Sequence, residues 1–213
     1  MGFLEYLAGN WTEVLGATTA HAVLVLEGLG LAVLIGVPVA VVVYRTDALR
    51  AAVLGATALL LTIPSYALFG LLIAPLGLGN APSIVALTMY ALLPVVRNTI
   101  VGLREVDPAL VESATGMGMG RLRRLLGVEL PLAWPVVLTG MRVAAQLLLG
   151  IAAIAAAVNG PGLGNLILDG LAKAGTPFAI YLTVEGVAAI VLLAVLFDSL
   201  FAVLNRLTTL MGL

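Results

Sequence analysis

The sequence predicts an all-α integral membrane protein with about five transmembrane helices. Three observations carry this. Of the 213 residues, 62% are hydrophobic and 10% charged, against about 25% charged in an ordinary soluble domain. Too few polar groups exist to cover a water-facing surface. The apolar residues fall in five runs, each long enough for a hydrocarbon core that takes about 20 residues to cross. The arginines collect in loops that these crossings would place on one side.

Taken in order, residues 1–18 carry Phe3, Leu4, Leu7, Trp11 and Leu15 at helical spacing and are expected to form a short amphipathic interfacial helix. Glu5 and Glu13 without any Lys or Arg give this stretch the wrong charge for a secretory signal. The expected spans are 19–44, 51–76, 82–103, 132–158 and 178–205, with a polar loop over 104–131. No repeat, low-complexity tract or linker divides the chain, so 1–213 reads as a single transmembrane domain.

Arg45, Arg50, Arg104, Arg121, Arg123, Arg124 and Arg206 fall on one side of the spans and only Lys173 on the other. The positive-inside rule then puts the N-terminus outside, and the C-terminus and the 104–131 loop in the cytoplasm. The external loops would be Gly77–Ala81 and Asn159–Pro177. Pro38, Pro64, Pro75, Pro94 and Pro135 interrupt four of the five spans. Each removes a backbone donor and invites a kink, which favours a moving bundle over a static anchor.

Glu27, Arg97, Arg142, Glu185 and Asp198 fall within spans, where ionisable groups face a bundle interior or water. Arg97 and Asp198 lie at matching depth, roughly 10 Å from the cytoplasmic end at about 1.5 Å per residue, and are expected to pair. Glu27 and Glu185 lie nearer the outer face. They would either form an acidic vestibule or snorkel to the interface. Cysteine is absent and His21 is the only histidine, so no metal site is expected. A net charge of −1 without a basic arm points away from nucleic acid.

The 104–131 loop is the most structured polar stretch. Asp107 suits an N-cap and Pro108 the first helical position, so Ala109–Ala114 reads as a short helix. Gly116, Gly118 and Gly120 would end it and turn the chain. A second short helix, Arg121–Val128, would carry Arg121 and Arg124 on one face. A capped helix of this kind suits docking into a partner's groove.

The loop resembles the EAA loop of binding-protein-dependent ABC importer permeases. Glu112-Ser113-Ala114, three residues, Gly118, nine residues and Val128-Glu129-Leu130-Pro131 keep that family's spacing, with Ser113 and Val128 as mild departures. Thr62–Leu68, Leu93–Thr99 and Asn159–Gly164 resemble the osmoprotectant permeases, which carry glycine betaine, choline and carnitine. Methionine-type permeases share the architecture.

The resemblance implies a type I ABC importer permease core in the bacterial cytoplasmic (inner) membrane. Two ATPase subunits would dock on the coupling loop, a second permease would complete the pathway as homodimer or heterodimer, and a solute-binding protein would deliver substrate from outside. Glu112, Ser113, Ala114, Gly118, Val128, Leu130 and Pro131 would form the coupling loop. Pro64, Ser65, Tyr66, Tyr90, Arg97 and Asn98 are the candidates for pathway or gate.

The chain has no Gly-x-x-x-x-Gly-Lys-Ser/Thr phosphate loop. It is therefore expected to be a transport subunit rather than an enzyme, holding no cofactor, with ATP and Mg bound by the ATPase partners. An ion-coupled secondary transporter would instead call for midplane carboxylates and an inverted repeat, and neither is evident.

Overall fold

Long apolar runs without strand-like alternation fold as helices because lipid offers no partner for an open backbone. The computed structural model describes residues 3–176 and 178–210. Met1, Gly2 and Pro177 fall outside these residues, as do the side chains of Phe3 and Leu4. The described residues form an all-helical bundle: α1 (Phe3–Val43), α2 (Asp47–Thr62), α3 (Ser65–Leu76), α4 (Asn80–Glu105), α5 (Pro108–Gly116), α6 (Arg121–Arg124), α7 (Leu130–Ala152), α8 (Gly164–Ala172) and α9 (Ala179–Leu210). A π-helical turn, Leu125–Glu129, joins α6 to α7, and a 3₁₀ turn, Ala153–Val158, follows α7.

The central layer is α4, packed between α1 and α7. Gly28 of α1 lies on Leu87 and Thr88, and Gly36 on Val95 and Val96, so α1 and α4 run parallel. Gly102 meets Ala133 and Val136, while Gly140 meets Pro94 and Asn98, so α4 and α7 run antiparallel. A Cβ on Gly140 would stand 2.8 Å from the Pro94 carbonyl oxygen. Small residues at that crossing let the two backbones approach. Leu24, Val25, Phe69, Leu87, Tyr90, Leu148 and Leu149 fill the core they enclose.

The second span is a bent pair. α2 and α3 meet at 96° across Ile63 and Pro64. Asp47 starts α2 beside Arg104 at 3.3 Å, and Gly79 after α3 donates to the Val158 carbonyl at 2.7 Å. The pair therefore carries the chain from the arginine-rich end of the bundle to the opposite end. The four long apolar helical stretches and this bent pair make five crossings. Pro64 has no N–H to continue the α2 ladder; Leu60 O accepts from Ile63 N at 3.3 Å instead, and Tyr90 Oη donates to the Ile63 carbonyl at the break at 2.7 Å.

Three expectations need correction. No break separates residues 3–18 from the first span: α1 is one helix of 41 residues, about 60 Å at 1.5 Å per residue. A lone Gly16 does not interrupt a hydrogen-bond ladder. The extension also has protein to lie on, because Tyr6 stacks on Phe178 at 5.6 Å and Val14 and Ala17 pack on the Leu163–Leu166–Leu182 cluster. Secondly, the segment after Val158 contains a helix, α8. Thirdly, Arg121–Val128 is not a separate helix but runs through the π turn into α7. Pro131, at the start of α7, lacks the N–H that the changed register would leave unpaired.

Candidate functional site

Helix α5 and its two ends form the first candidate surface. Asp107 caps the helix, its carboxylate accepting from Ala109 N at 2.8 Å, and Pro108 follows as expected for a helix start. At the other end, Met119 N donates to Ala114 O at 3.1 Å and Gly118 N to Thr115 O at 2.9 Å. These two bonds make a Schellman motif. Gly118 holds its C′ position at φ +80°, a left-handed conformation that a Cβ disfavours. Gly120, at φ −64°, does not need to be glycine for its conformation.

Ala114 turns inward and is buried, while Glu112, Ser113 and Gly118 face out. Ser113 Oγ donates to the Ala109 carbonyl at 2.8 Å. Val128, Leu130 and Pro131 are half-buried where the loop rejoins the bundle. Around Glu112 the loop exposes large apolar side chains, among them Leu110, Met117, Leu122 and Leu126. Exposed apolar side chains on a short capped helix and the turn after it, at one end of a bundle, make an interaction surface.

The loop is tied to the bundle through Glu129. Its carboxylate accepts from Tyr44 Oη at 2.6 Å, from Arg45 Nη2 at 2.8 and 3.0 Å, and from Arg124 Nε at 2.9 Å. Arg124 Nη1 continues to Thr115 Oγ1 on α5 at 2.7 Å. The side chains of Arg124 and Glu129 are 9% and 3% exposed. Arg124, expected on a displayed face, is therefore an internal brace that links α5 to the ends of α1 and α7.

A groove of about 600 Å³ opens in the membrane-spanning part. Leu61 of α2, Pro94, Arg97 and Asn98 of α4, and Val143 and Leu147 of α7 line it. Asn98 Nδ2 donates to the Pro94 carbonyl at 2.8 Å. The expected Arg97–Asp198 pair does not form. Asp198 accepts instead from Arg142 Nε and Nη2, both at 2.6 Å, and from Gln146. The reason is placement: α9 packs mainly on α7, α8 and α1, so Asp198 faces α7 rather than α4.

The other candidates disperse. Tyr90 is buried and braces the α2–α3 break instead of facing the groove. Pro64 and Ser65 form that break. Tyr66 lines a separate cavity with Ile154, Ile167 and Leu168. Glu27 is exposed on α1. Glu185 is 2% exposed and no hydrogen bond reaches its carboxylate among the described residues. It neither snorkels nor lines an open acidic vestibule.

Residues 32–209 match the family model described as binding-protein-dependent transport system inner membrane component. The chain belongs to that family. Curated relatives of this inner membrane component include the osmoprotectant import permease protein OsmW of Salmonella typhimurium, 41% identical over 93% of each chain. The choline transport system permease protein OpuBB of Bacillus subtilis is 36% identical over 99% of this chain and 95% of its own. The glycine betaine/carnitine/choline permease protein OpuCB of Bacillus subtilis is 34% identical over the same shares. Among solved structures, an inward-facing MetNI methionine ABC transporter matches with a TM-score of 0.80 over 92% of this chain and 95% of its own, at 21% identity. That likeness shows the fold: a type I ABC importer permease core.

Binding-protein-dependent systems of this family work with ATPase and solute-binding partners, and the inner membrane component is their multi-pass membrane part. In this one, sequence reasoning missed the network of Tyr44, Arg45, Thr115 and Glu129 with Arg124, having counted Arg45 only toward the arginine asymmetry and Glu129 only as a position in the loop pattern. Glu129 occupies the unconstrained position between Val128 and Leu130 in the loop pattern. Its signal was a carboxylate standing alone where an apolar span begins. His21 was weighed only as a metal ligand. It is fully buried, with Nε2 donating to Leu149 O at 3.0 Å and Nδ1 accepting from Leu163 N at 3.3 Å. The network assigns that tautomer, and the ring pins α1 to α7 and to the α8 loop.

Proposed function

We propose that the chain is the membrane-spanning subunit of an ATP-driven importer for a quaternary-amine osmoprotectant such as glycine betaine, choline or carnitine. The observation that carries this is helix α5: a doubly capped helix at the arginine-rich end that exposes Glu112 and, elsewhere on the same loop, Leu110, Met117 and Leu122. The full-length relatives, osmoprotectant and choline permeases by name, supply the solute class. Likeness to the methionine transporter, at 21% identity, carries the fold and does not favour methionine.

In this reading the arginine-rich end is cytoplasmic, the N-terminus outside and the C-terminus inside. Two ATPase subunits dock on α5, bind ATP and Mg, and supply the energy, so the permease itself performs transport rather than catalysis. A second permease, identical or paired, completes the pathway, because one five-span chain encloses little space. A solute-binding protein delivers its cargo at the opposite end. ATPase closure pushes α5, and the bracing through Arg124, Glu129, Tyr44 and Arg45 passes that displacement to α7 and α1. The break at Pro64 and the proline in α4 are where spans can flex.

The test is reconstitution of the chain with its ATPase and solute-binding partners in proteoliposomes. ATP-dependent accumulation of labelled glycine betaine, choline or carnitine is expected. Accumulation of methionine alone would sink the solute assignment. Failure of the tagged chain to bring down any ATPase, with Glu112 and Gly118 intact, would sink the whole reading.

A further inference from the structure

Arg97 is the membrane-embedded cation that is left without a partner among the described residues. It is exposed in the groove, on α4, and makes no ion pair or hydrogen bond among the described residues. It lies eight residues before the end of α4 at Glu105, about 12 Å inward at 1.5 Å per residue. An unpaired guanidinium at such depth is costly unless it meets water or an anion.

No acidic group of the fold is placed to serve it. Both carboxylate oxygens of Asp198 are taken by the Arg142 fork, and Oδ1 also by Gln146. Glu129 is held by Tyr44, Arg45 and Arg124. Asp47 pairs with Arg50 and Arg104 at the arginine-rich end. Gly28 sits beside Leu87 and Thr88 with α1 and α4 parallel, so Glu27 lies about ten residues, or about 15 Å, along α4 from Arg97. Glu105 and Asp107 lie two turns or more beyond Arg97. Apart from Asn98, whose amide nitrogen is spent on Pro94 O, the groove lining around Arg97 is apolar.

A groove of about 600 Å³ with one planar cation and hydrophobic walls has the size and make-up of a small-molecule site. A guanidinium fork matches a carboxylate bidentately, and the apolar walls suit an alkylated remainder. We infer that Arg97 is the recognition group of a solute site in this groove, and that it selects quaternary amines bearing a carboxylate over purely cationic ones. The inference rests on the permease reading above and deepens it. A fixed positive charge repels choline, whose alcohol gives the fork no anion to hold. It holds glycine betaine by the carboxylate and leaves the methylated nitrogen against Leu61, Val143 and Leu147.

The experiment is binding of labelled glycine betaine and labelled choline to the purified permease–ATPase complex, without the solute-binding protein, whose own selectivity would mask that of the groove. The wild-type complex is expected to bind glycine betaine at least tenfold more tightly than choline. Arg97→Gln should weaken glycine betaine at least tenfold and leave choline unchanged or tighter. Arg97→Lys, a point charge without the fork, should fall between, and it takes over the comparison if Arg97→Gln fails to co-purify with the ATPase. Equal weakening of both solutes would make Arg97 a structural residue and overturn the inference. Unchanged glycine betaine binding in Arg97→Gln would assign the guanidinium to lipid phosphate or to a second copy, and would equally overturn it. A wild-type complex that retains its ATPase but binds and transports neither amine would instead remove the solute reading beneath.

Discussion

Glu129 shows how much one side chain can organise. Four hydrogen bonds converge on its carboxylate from Tyr44, Arg45 and Arg124. Removing one partner of a buried ion pair costs more than the pair contributes, because the survivor keeps its desolvation penalty. Glu129→Gln should therefore destabilise the chain by about 3 kcal/mol, the low end for such losses, since the Arg45 side chain is 47% exposed. A lower melting temperature in detergent checks this. Transport per ATP hydrolysed should fall further than the melting temperature alone explains, because α5 loses its link to α1. Gly118→Ala acts differently. It places a Cβ at φ +80°, which costs about 1 kcal/mol. Its expected signature is reduced ATPase-coupled uptake with the bundle still folded, and Gly118→Asn should retain more uptake than Gly118→Ala because Asn tolerates the left-handed region.

The elements follow from composition where the backbone decides and from neighbours where packing decides. The cap at Asp107, the Schellman end at Gly118 and the break at Pro64 were all legible in sequence, because each depends on one residue's own φ or donor. The continuity of α1 through residue 18 was not legible: Leu7, Trp11 and Leu15 read as the apolar stripe of an interfacial helix, and nothing in the spacing tells that Tyr6 and Val14 rest on Phe178 and the Leu163 cluster. The pairing of Arg142 with Asp198 was hidden for the same reason. Depth along a helix can be counted, but azimuth relative to a neighbour cannot. Gly140 marks an element contact that tests this packing. Gly140→Val drives side-chain carbons into Pro94 O and Asn98 Cβ and should cost about 1–3 kcal/mol by overpacking. It should be read as a lower melting temperature, whereas Gly150→Val, with open space at its Cβ, should change it little.

At the scale of the whole molecule, the bundle holds the two proposed working surfaces at different levels: α5 at the arginine-rich end and the Arg97 groove within the span. The α1–α4–α7 layer joins them, since α4 and α7 are themselves groove walls. The bent α2–α3 pair sits beside it and contributes Leu61 to the groove. In the proposed mechanism, displacement of α5 reaches the groove walls through α4 and α7, as alternating access requires. Met117→Ser with Leu122→Ser removes two exposed apolar side chains from the docking face, each worth about 1.5–3 kcal/mol if fully buried by a partner. Recovery of the ATPase in a pull-down should drop at least tenfold while the chain's own melting temperature stays put. Retained recovery would place docking elsewhere.

The amino-acid sequence by itself determined the solvent, the number of crossings, the arginine asymmetry and the capped helix Pro108–Gly116 with its glycine end. Each of these rests on hydropathy, on local backbone preference or on residue spacing along one element, and none requires knowing what stands opposite. Only the tertiary structure decided which charges meet. It gave Asp198 to Arg142, gathered Tyr44, Arg45 and Arg124 around Glu129, and buried Tyr90 and Glu185, leaving Arg97 alone over an apolar groove. The physical reason is that an ion pair or a hydrogen bond is settled within a few ångströms across helices, where rotation of one helix about its axis moves a side chain from a partner to open space.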